Sequence, residues 1–353
     1  MLGEEKPASR VLGGFEVLDL IGQGGMGSVY LARQISMDRM VALKILSPQL
    51  AKDQKYLERF FREARMSAVL NNVHIVQGID VGEAEGFYYF AMEYVEGPTL
   101  AEILRERGKL SEQDALRVVL QVATALEHAH DRGLVHRDIK PANIIFSTKD
   151  KVVKLADLGL AKRWVEQTAD LTHSGHLVGT PYYMAPELVR GDAEADVRTD
   201  IYSLGATAYH MVTGKPPFEG NTPAEILVKH ISEPLTPPDQ VNLLLSPGIC
   251  EVIEKTMAKD AKDRYQSARD VGLDVRRVLA GRPPVLASSP RETELLGRLE
   301  EESGEVVLPT RRGGPAGRLW GRRTQKASRL IWSMVVGVAV VILVLIILLV
   351  MGH

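Results

Sequence analysis

The chain has 353 residues, 25% of them charged and 45% hydrophobic, with 31 Gly and 18 Pro, a globular composition that excludes a collagen-like, coiled-coil or wholly disordered chain. Forty-three basic against 45 acidic residues leave a formal charge of −2, which argues against nucleic acid as the main partner, since such surfaces show as strongly basic domains. Cys250 is the only cysteine, so an intramolecular disulfide and a cysteine-rich zinc site are both excluded.

At roughly 150 residues per domain, the length suggests two lobes plus tails. The first fourteen residues, MLGEEKPASRVLGG, carry charges, Gly and Pro where a secretory signal needs an apolar run, so this end reads as a cytosolic tail. Residues 15–46 read as three antiparallel strands, FEVLDLI, SVYLAR and RMVALKIL, with a Gly-rich turn between the first two. A helix is expected over 54–70 and a strand over 87–95, FYYFAMEYV. At Ser111 the run S-E-Q-D caps a helix in which Ala115, Val118, Val119, Val122, Leu126 and Ala129 repeat at three or four residues. A small sheet-rich lobe followed by a larger helical one is an α+β arrangement, and the crevice between the lobes is the expected ligand site.

Beyond Gly281 the run RPPVLASSP, an acid-rich stretch to Glu305 and a basic run read as a linker over 282–329. Residues 330–351 contain no ionisable side chain, and sixteen of the 22 are Leu, Ile or Val. As a helix they would span about 33 Å, matching a hydrocarbon core of about 30 Å. Arg311, Arg312, Arg318, Arg322, Arg323, Lys326 and Arg329 precede this stretch, and Gly352 and His353 follow it. Positive residues stay cytoplasmic, so the expectation is a single-pass tail anchor in the cell membrane with the large N-terminal part in the cytosol and no external sensor domain. Trp320 and Trp332 would sit near the headgroups.

Gly22, Gly24 and Gly27 form G-x-G-x-x-G, where bare backbone lets N–H groups approach phosphate oxygens. A dinucleotide-binding fingerprint would need these glycines to open a helix, whereas here they open the strand SVYLAR. Lys44, in Val-Ala-Leu-Lys, would hold an ammonium near bound phosphates, and Glu63 on the following helix would fix its direction. The densest constellation is His136-Arg137-Asp138-Ile139-Lys140-Pro141-Ala142-Asn143, followed by Asp157-Leu158-Gly159. Phosphoryl transfer from ATP needs these types: a carboxylate to orient the attacking hydroxyl, oxygen ligands for magnesium, and cations against developing charge.

This segment resembles the catalytic loop of eukaryotic-like (Hanks-type) protein kinases, and the resemblance covers about residues 15–280. It implies a bilobal kinase domain over 15–281, with an N-lobe to about 95 and a C-lobe from about 96. Asp138 is then the catalytic base, Lys140 contacts the transferred phosphate, and Asn143 with Asp157 holds Mg2+ or Mn2+. ATP is implied to lie under Ile21, Gly22, Gln23, Gly24, Gly25, Met26, Gly27, Ser28 and Val29, with Lys44 and Glu63 at its phosphates. Met92 resembles the gatekeeper, and Glu93 and Val95 would bond adenine through their backbone. Ala185-Pro186-Glu187 resembles the A-P-E that closes the activation segment, Arg264 in KDRY is similar to the arginine that pairs with this glutamate, and Asp200 matches the buried carboxylate of a central helix that supports the catalytic loop.

Lys140, with Gly179-Thr180-Pro181, resembles serine/threonine rather than tyrosine kinases, and the loop IGQGGMGSVYLA resembles bacterial members. Leu158 departs from the family by replacing the phenylalanine of D-F-G. Arg137 would clamp a phosphate on Thr168, Thr172 or Ser174, while Thr180 would bond within the active site. The implied partners are Ser/Thr-bearing protein substrates, the membrane, and a second copy of the chain for trans-autophosphorylation. The alternative function is a nucleotide-binding membrane scaffold without turnover.

Overall fold

A computed structural model of the chain describes residues 10–24, 27–157, 181–192 and 195–287, apart from the side chains of Arg10, Lys55, Arg59 and Glu63. The N-terminal part is an antiparallel sheet of six strands: β1 (Arg10–Leu12), β2 (Phe15–Gly24), β3 (Gly27–Gln34), β4 (Arg39–Leu46), β5 (Gly78–Ala84) and β6 (Phe87–Glu93). They lie in the order β1-β2-β3-β4-β6-β5. Between β4 and β5 come a short α1 (Pro48–Ala51) and α2 (Gln54–Ala68).

Period-two alternation in β4 sorts its residues between two environments. Val41 and Leu43 join Leu12, Phe15, Ala32, Tyr89 and Ala91 in the core of this lobe. Ala42 lies on the other face and packs with Val76, Met92 and Val95. A one-residue slip in β4 would exchange these sets and turn Lys44 away from the cleft. The sheet begins earlier than the expected Phe15, because Arg10, Val11 and Leu12 pair with Val17, Glu16 and Phe15. The strand β5 and the helix α3 (Leu100–Arg107) were not anticipated. α3 opens with a reciprocal cap between Thr99 and Glu102.

The larger part is built on α4 (Glu112–His130), whose N-cap Ser111 accepts a hydrogen bond from the Asp114 N–H. Ala115, Leu116, Val119, Val122, Ala123, Leu126 and Ala129 are buried along it, while Val118 sits at its margin. The hairpin β7 (Ile144–Phe146) and β8 (Val153–Leu155) lies against α4. There follow α5 (Pro186–Arg190), the buried α6 (Val197–Thr213), α7 (Pro223–Ser232), α8 (Pro238–Val241), α9 (Pro247–Thr256) and α10 (Ala268–Leu279). Order continues past the expected linker boundary at 282, since Val285, Leu286 and Ala287 donate backbone N–H groups to the Asp274 carboxylate.

The anticipated span 330–351 lies outside the described residues. Among the described residues no helix is long and apolar enough to cross a membrane.

Candidate active site

The β2–β3 hairpin carries the glycine loop. Gly22 pairs with Val29, Gln23 with Ser28 and Gly24 with Gly27, while Gly25 and Met26 lie outside the described residues. Gly27 has φ +148°, and a Cβ there would overlap the Ile45 carbonyl oxygen, so local geometry demands glycine. At Gly24 a Cβ would meet nothing within 4 Å. Its bareness is therefore not a packing requirement and keeps the backbone accessible to a ligand.

β4 places Lys44 opposite Val29 of β3 and Phe90 of β6. Its ammonium is 2.8 Å from Asp157 Oδ1. The expected partner Glu63 lies on α2, but its side chain lies outside the described residues. Burial pushes the Asp157 carboxyl up, but the Lys44 ammonium, with Lys140 adding to it, outweighs burial and holds it below the usual carboxylate range. Asp157 is thus an anion at neutral pH.

The loop 136–143 is held in an unusual shape by one buried group. Arg137 has φ +65°, a left-handed conformation that costs a non-glycine residue about 1 kcal/mol or more. Asp200 of α6, fully buried, accepts the His136 N–H at 2.8 Å and the Arg137 N–H at 2.6 Å, and lies 2.9 Å from His130 Nε2. The Asp138 N–H donates to His136 Nδ1, so His136 presents its Nε2 proton to the Ala156 carbonyl at 2.9 Å. One imidazole therefore fixes the loop 136–143 against the residue before Asp157, which itself has φ +57°.

Within that frame Lys140 Nζ lies 2.8 Å from Asp138 Oδ2. Asn143 Nδ2 donates to the Asp138 carbonyl at 2.8 Å and to Oδ2 at 3.0 Å. Because its NH2 is committed to Asp138, Asn143 turns its carbonyl oxygen away as an acceptor. That oxygen and the Asp157 carboxylate are hard donors that suit Mg2+, which is typically held by one or two carboxylates with water and substrate phosphates completing its shell. Among the described residues there is no group of three or more His, Cys, Asp or Glu able to hold a metal.

The apolar side of the cleft is formed by Ala42, Val76, Met92 and Val95, with Val29, Ile145 and Ala156 packed against them. Ala42, Val76, Ile145 and Ala156 were not singled out from sequence, although spacing held a clue: Ala42 stands two residues before Lys44 on an alternating strand, and Ile145 two after Asn143. Glu93, at the end of β6, donates its N–H to the Gln77 carbonyl and pairs its carboxylate with Lys154 at 2.9 Å. Val95 lies just beyond β6 in the apolar cluster. Ile21 is 46% exposed.

Glu187 and Arg264 form a bidentate pair at 2.7 and 2.8 Å, with the Thr199 hydroxyl adding a bond to Glu187. Burial pushes the Glu187 carboxyl up, and Arg264 more than reverses this. Leu158, Thr168, Thr172, Ser174, Gly179 and Thr180 lie outside the described residues.

Residues 15–271 match the protein kinase domain family. The chain belongs to the protein kinase family, in its serine/threonine, Hanks-type branch. It is 38% identical over 299 residues to the serine/threonine-protein kinase PknB of Mycobacterium leprae, an alignment covering 84% of this chain and 48% of that protein. With PknB of Mycolicibacterium smegmatis it shares 35% over 336 residues, 93% of this chain and 53% of that one. The chain thus spans about half the length of these curated relatives. The crystal structure of the Mycobacterium tuberculosis PknI kinase domain superposes with a TM-score of 0.62 at 32% identity, covering 77% of this chain and 98% of that domain. The bilobal kinase fold follows from this membership.

Proposed function

We propose that the chain transfers the γ-phosphate of ATP to serine and threonine hydroxyls of proteins, including its own, while anchored to a membrane. The observation that carries this reading is the convergence of Asp138, Lys140 and Asn143 in one loop, which is bonded through Ala156 to the segment that carries the Lys44–Asp157 pair. The substrate hydroxyl oxygen attacks the γ-phosphorus, the bond from γ-phosphorus to the bridging oxygen of ADP breaks, and the hydroxyl proton passes to the Asp138 carboxylate. Lys140 sets a positive charge beside that carboxylate and the transferring group. Mg2+ or Mn2+, held by Asn143 and Asp157, would neutralise phosphate charge when bound. Lys44 orients Asp157 and offers its ammonium to the nucleotide phosphates. Adenine would lie against Ala42, Met92 and Val95 with backbone bonds at Glu93 and Val95.

Label from γ-phosphate-labelled ATP should enter protein as phosphoserine and phosphothreonine with wild-type chain, and Asp138→Asn should remove it. Equal labelling in both would end this assignment, and no labelling in either would favour the scaffold reading.

Arg137 supports regulation by phosphorylation. Its Nε is buried with no hydrogen-bond partner among the described residues, and its Nη2 reaches only the Ala195 carbonyl at 3.4 Å. A guanidinium so placed would take a phosphate on Thr168, Thr172 or Ser174. Mass spectrometry of active protein should find phosphate on at least one of them, and the triple alanine variant should lose activity. Membrane attachment rests on residues 330–351 and the basic run before them. Full-length protein should stay with membranes through alkaline carbonate extraction, and a chain stopped at 329 should not.

A further inference from the structure

The family match ends at residue 271, yet the fold does not. After α10, Gly281 turns the chain with φ +69°, and Arg277 Nε holds the Pro283 carbonyl at 2.9 Å. Residues 285–287 then run back along the helix. Val285 donates its N–H to Asp274 Oδ1 at 2.8 Å, and Leu286 and Ala287 donate theirs to Oδ2 at 2.9 Å each. The Tyr265 hydroxyl donates to the same Oδ2 at 2.9 Å. Asp274 is 0% exposed, so these four donors meet a charge that water does not reach. A carboxylate so buried is costly unless its lone pairs are filled.

Tyr265 directly follows Arg264, whose guanidinium holds Glu187 and the carbonyls of Ala258, Lys259 and Arg198. Glu187 lies in α5, a few residues after the Pro181–Tyr183 turn that re-enters the described chain beyond the cleft. A continuous set of contacts therefore runs from the 285–287 backbone through Asp274, Tyr265 and Arg264 to Glu187.

We propose that Asp274 is a positioning residue for phosphotransfer to protein substrates, and that residues 283–287 are a strap that keeps it in place. This rests on the kinase reading above. With the strap docked, Asp274 fixes the Tyr265 hydroxyl, and Tyr265 fixes the backbone that carries Arg264 and so the start of α5. With the strap released, three of the four donors leave a buried carboxylate, and the Tyr265–Arg264 segment must move to hydrate it. The strap is also the point from which the remainder of the chain departs. Displacing it would act through Arg264 on Glu187 and the start of α5, and among the described residues the hydrogen bonds of this network include none to Lys44 or the glycine loop.

The test uses the full chain in three variants, Leu286→Pro, which deletes one strap donor, Tyr265→Phe, which deletes the hydroxyl alone, and the double. Phosphate transfer from labelled ATP to myelin basic protein is measured well below the unfolding midpoint, alongside the KM for ATP and amide hydrogen exchange over 186–192. The expectation is that kcat/KM for the protein substrate falls about fivefold in each single variant, with the KM for ATP unchanged and faster exchange over 186–192. The double variant should then be less than additive. A lowered unfolding temperature with unchanged kcat/KM and unchanged exchange would make the strap purely structural and overturn the proposal, as would strict additivity. Tyr265→Phe keeps the test decisive if Leu286→Pro does not fold. Should the wild-type chain transfer no phosphate, the kinase reading falls while the exchange measurement still decides the strap.

Discussion

His230 shows how one residue ties the fold to pH. It is fully buried in α7, with Nδ1 2.8 Å from the Tyr202 hydroxyl and its ring 4.9 Å from that of Phe218. Burial first, and the Lys259 ammonium second, push its pKa from 6.5 down to about 3. The folded chain therefore keeps His230 neutral at pH 5, where the unfolded chain binds a proton. The unfolded state binds more protons between these values, so stability falls as pH drops below 6.5 and falls further until about 3. At 1.36 kcal/mol per pH unit, about 2 kcal/mol is lost between pH 6.5 and pH 5. Urea unfolding at pH 7 and pH 5 should show that loss in wild type and a shallower one in His230→Gln; parallel slopes would refute the assignment. Nothing around His230 in the chain announces this, because Tyr202, Phe218 and Lys259 are brought to it only by packing. Asp138, Lys140 and Asn143 could be singled out for the opposite reason: they fall within six consecutive residues, and the structure bonds the three together.

Among the elements, the glycine hairpin separates two reasons for a glycine. Gly27 combines φ +148° with a Cβ position blocked by the Ile45 carbonyl, whereas Gly24 has open space. Gly27→Ala should cost about 1–3 kcal/mol, seen as a lower unfolding temperature, through backbone strain and displacement of β4. Gly24→Ala should leave stability within about 0.5 kcal/mol and still raise the KM for ATP, because its effect falls on an approaching phosphate. A large stability loss at Gly24 would contradict this division. The strands β2, β3 and β4 and the helices α2 and α4 were readable from alternation and capping. β5, GIDVGEA, was not: its Gly, Asp and Glu content hides a strand that is held by pairing with β6.

At the scale of the whole molecule, the ion pair Glu187–Arg264 joins α5 to the turn before α10 across 77 positions of chain. Arg264 is 2% exposed, and removing one partner strands the other without water. Arg264→Ala should cost about 3–5 kcal/mol, measured by denaturant unfolding, and should lower activity through the displaced start of α5. A cost below about 1 kcal/mol would mean the pair is not desolvated as the structure has it.

The amino-acid sequence by itself carried the protein kinase resemblance and the sheet-then-helix order, and it marked Asp138, Lys140, Asn143 and Asp157 as candidates, since each of these rests on residue types at short, local spacing. Tertiary structure alone decided that Lys44 meets Asp157, that the turn at Arg137 is left-handed, and that the chain after 281 returns to cover Asp274, whereas the support of that loop at Arg137 by Asp200 was already implied by the family resemblance. The contacts of Lys44 with Asp157 and of Arg137 with Asp200 join residues 113 and 63 positions apart, and those of Asp274 with the returning chain join residues 11 to 13 apart across a turn. It is the packing of the chain around buried charge that brings each within hydrogen-bonding distance.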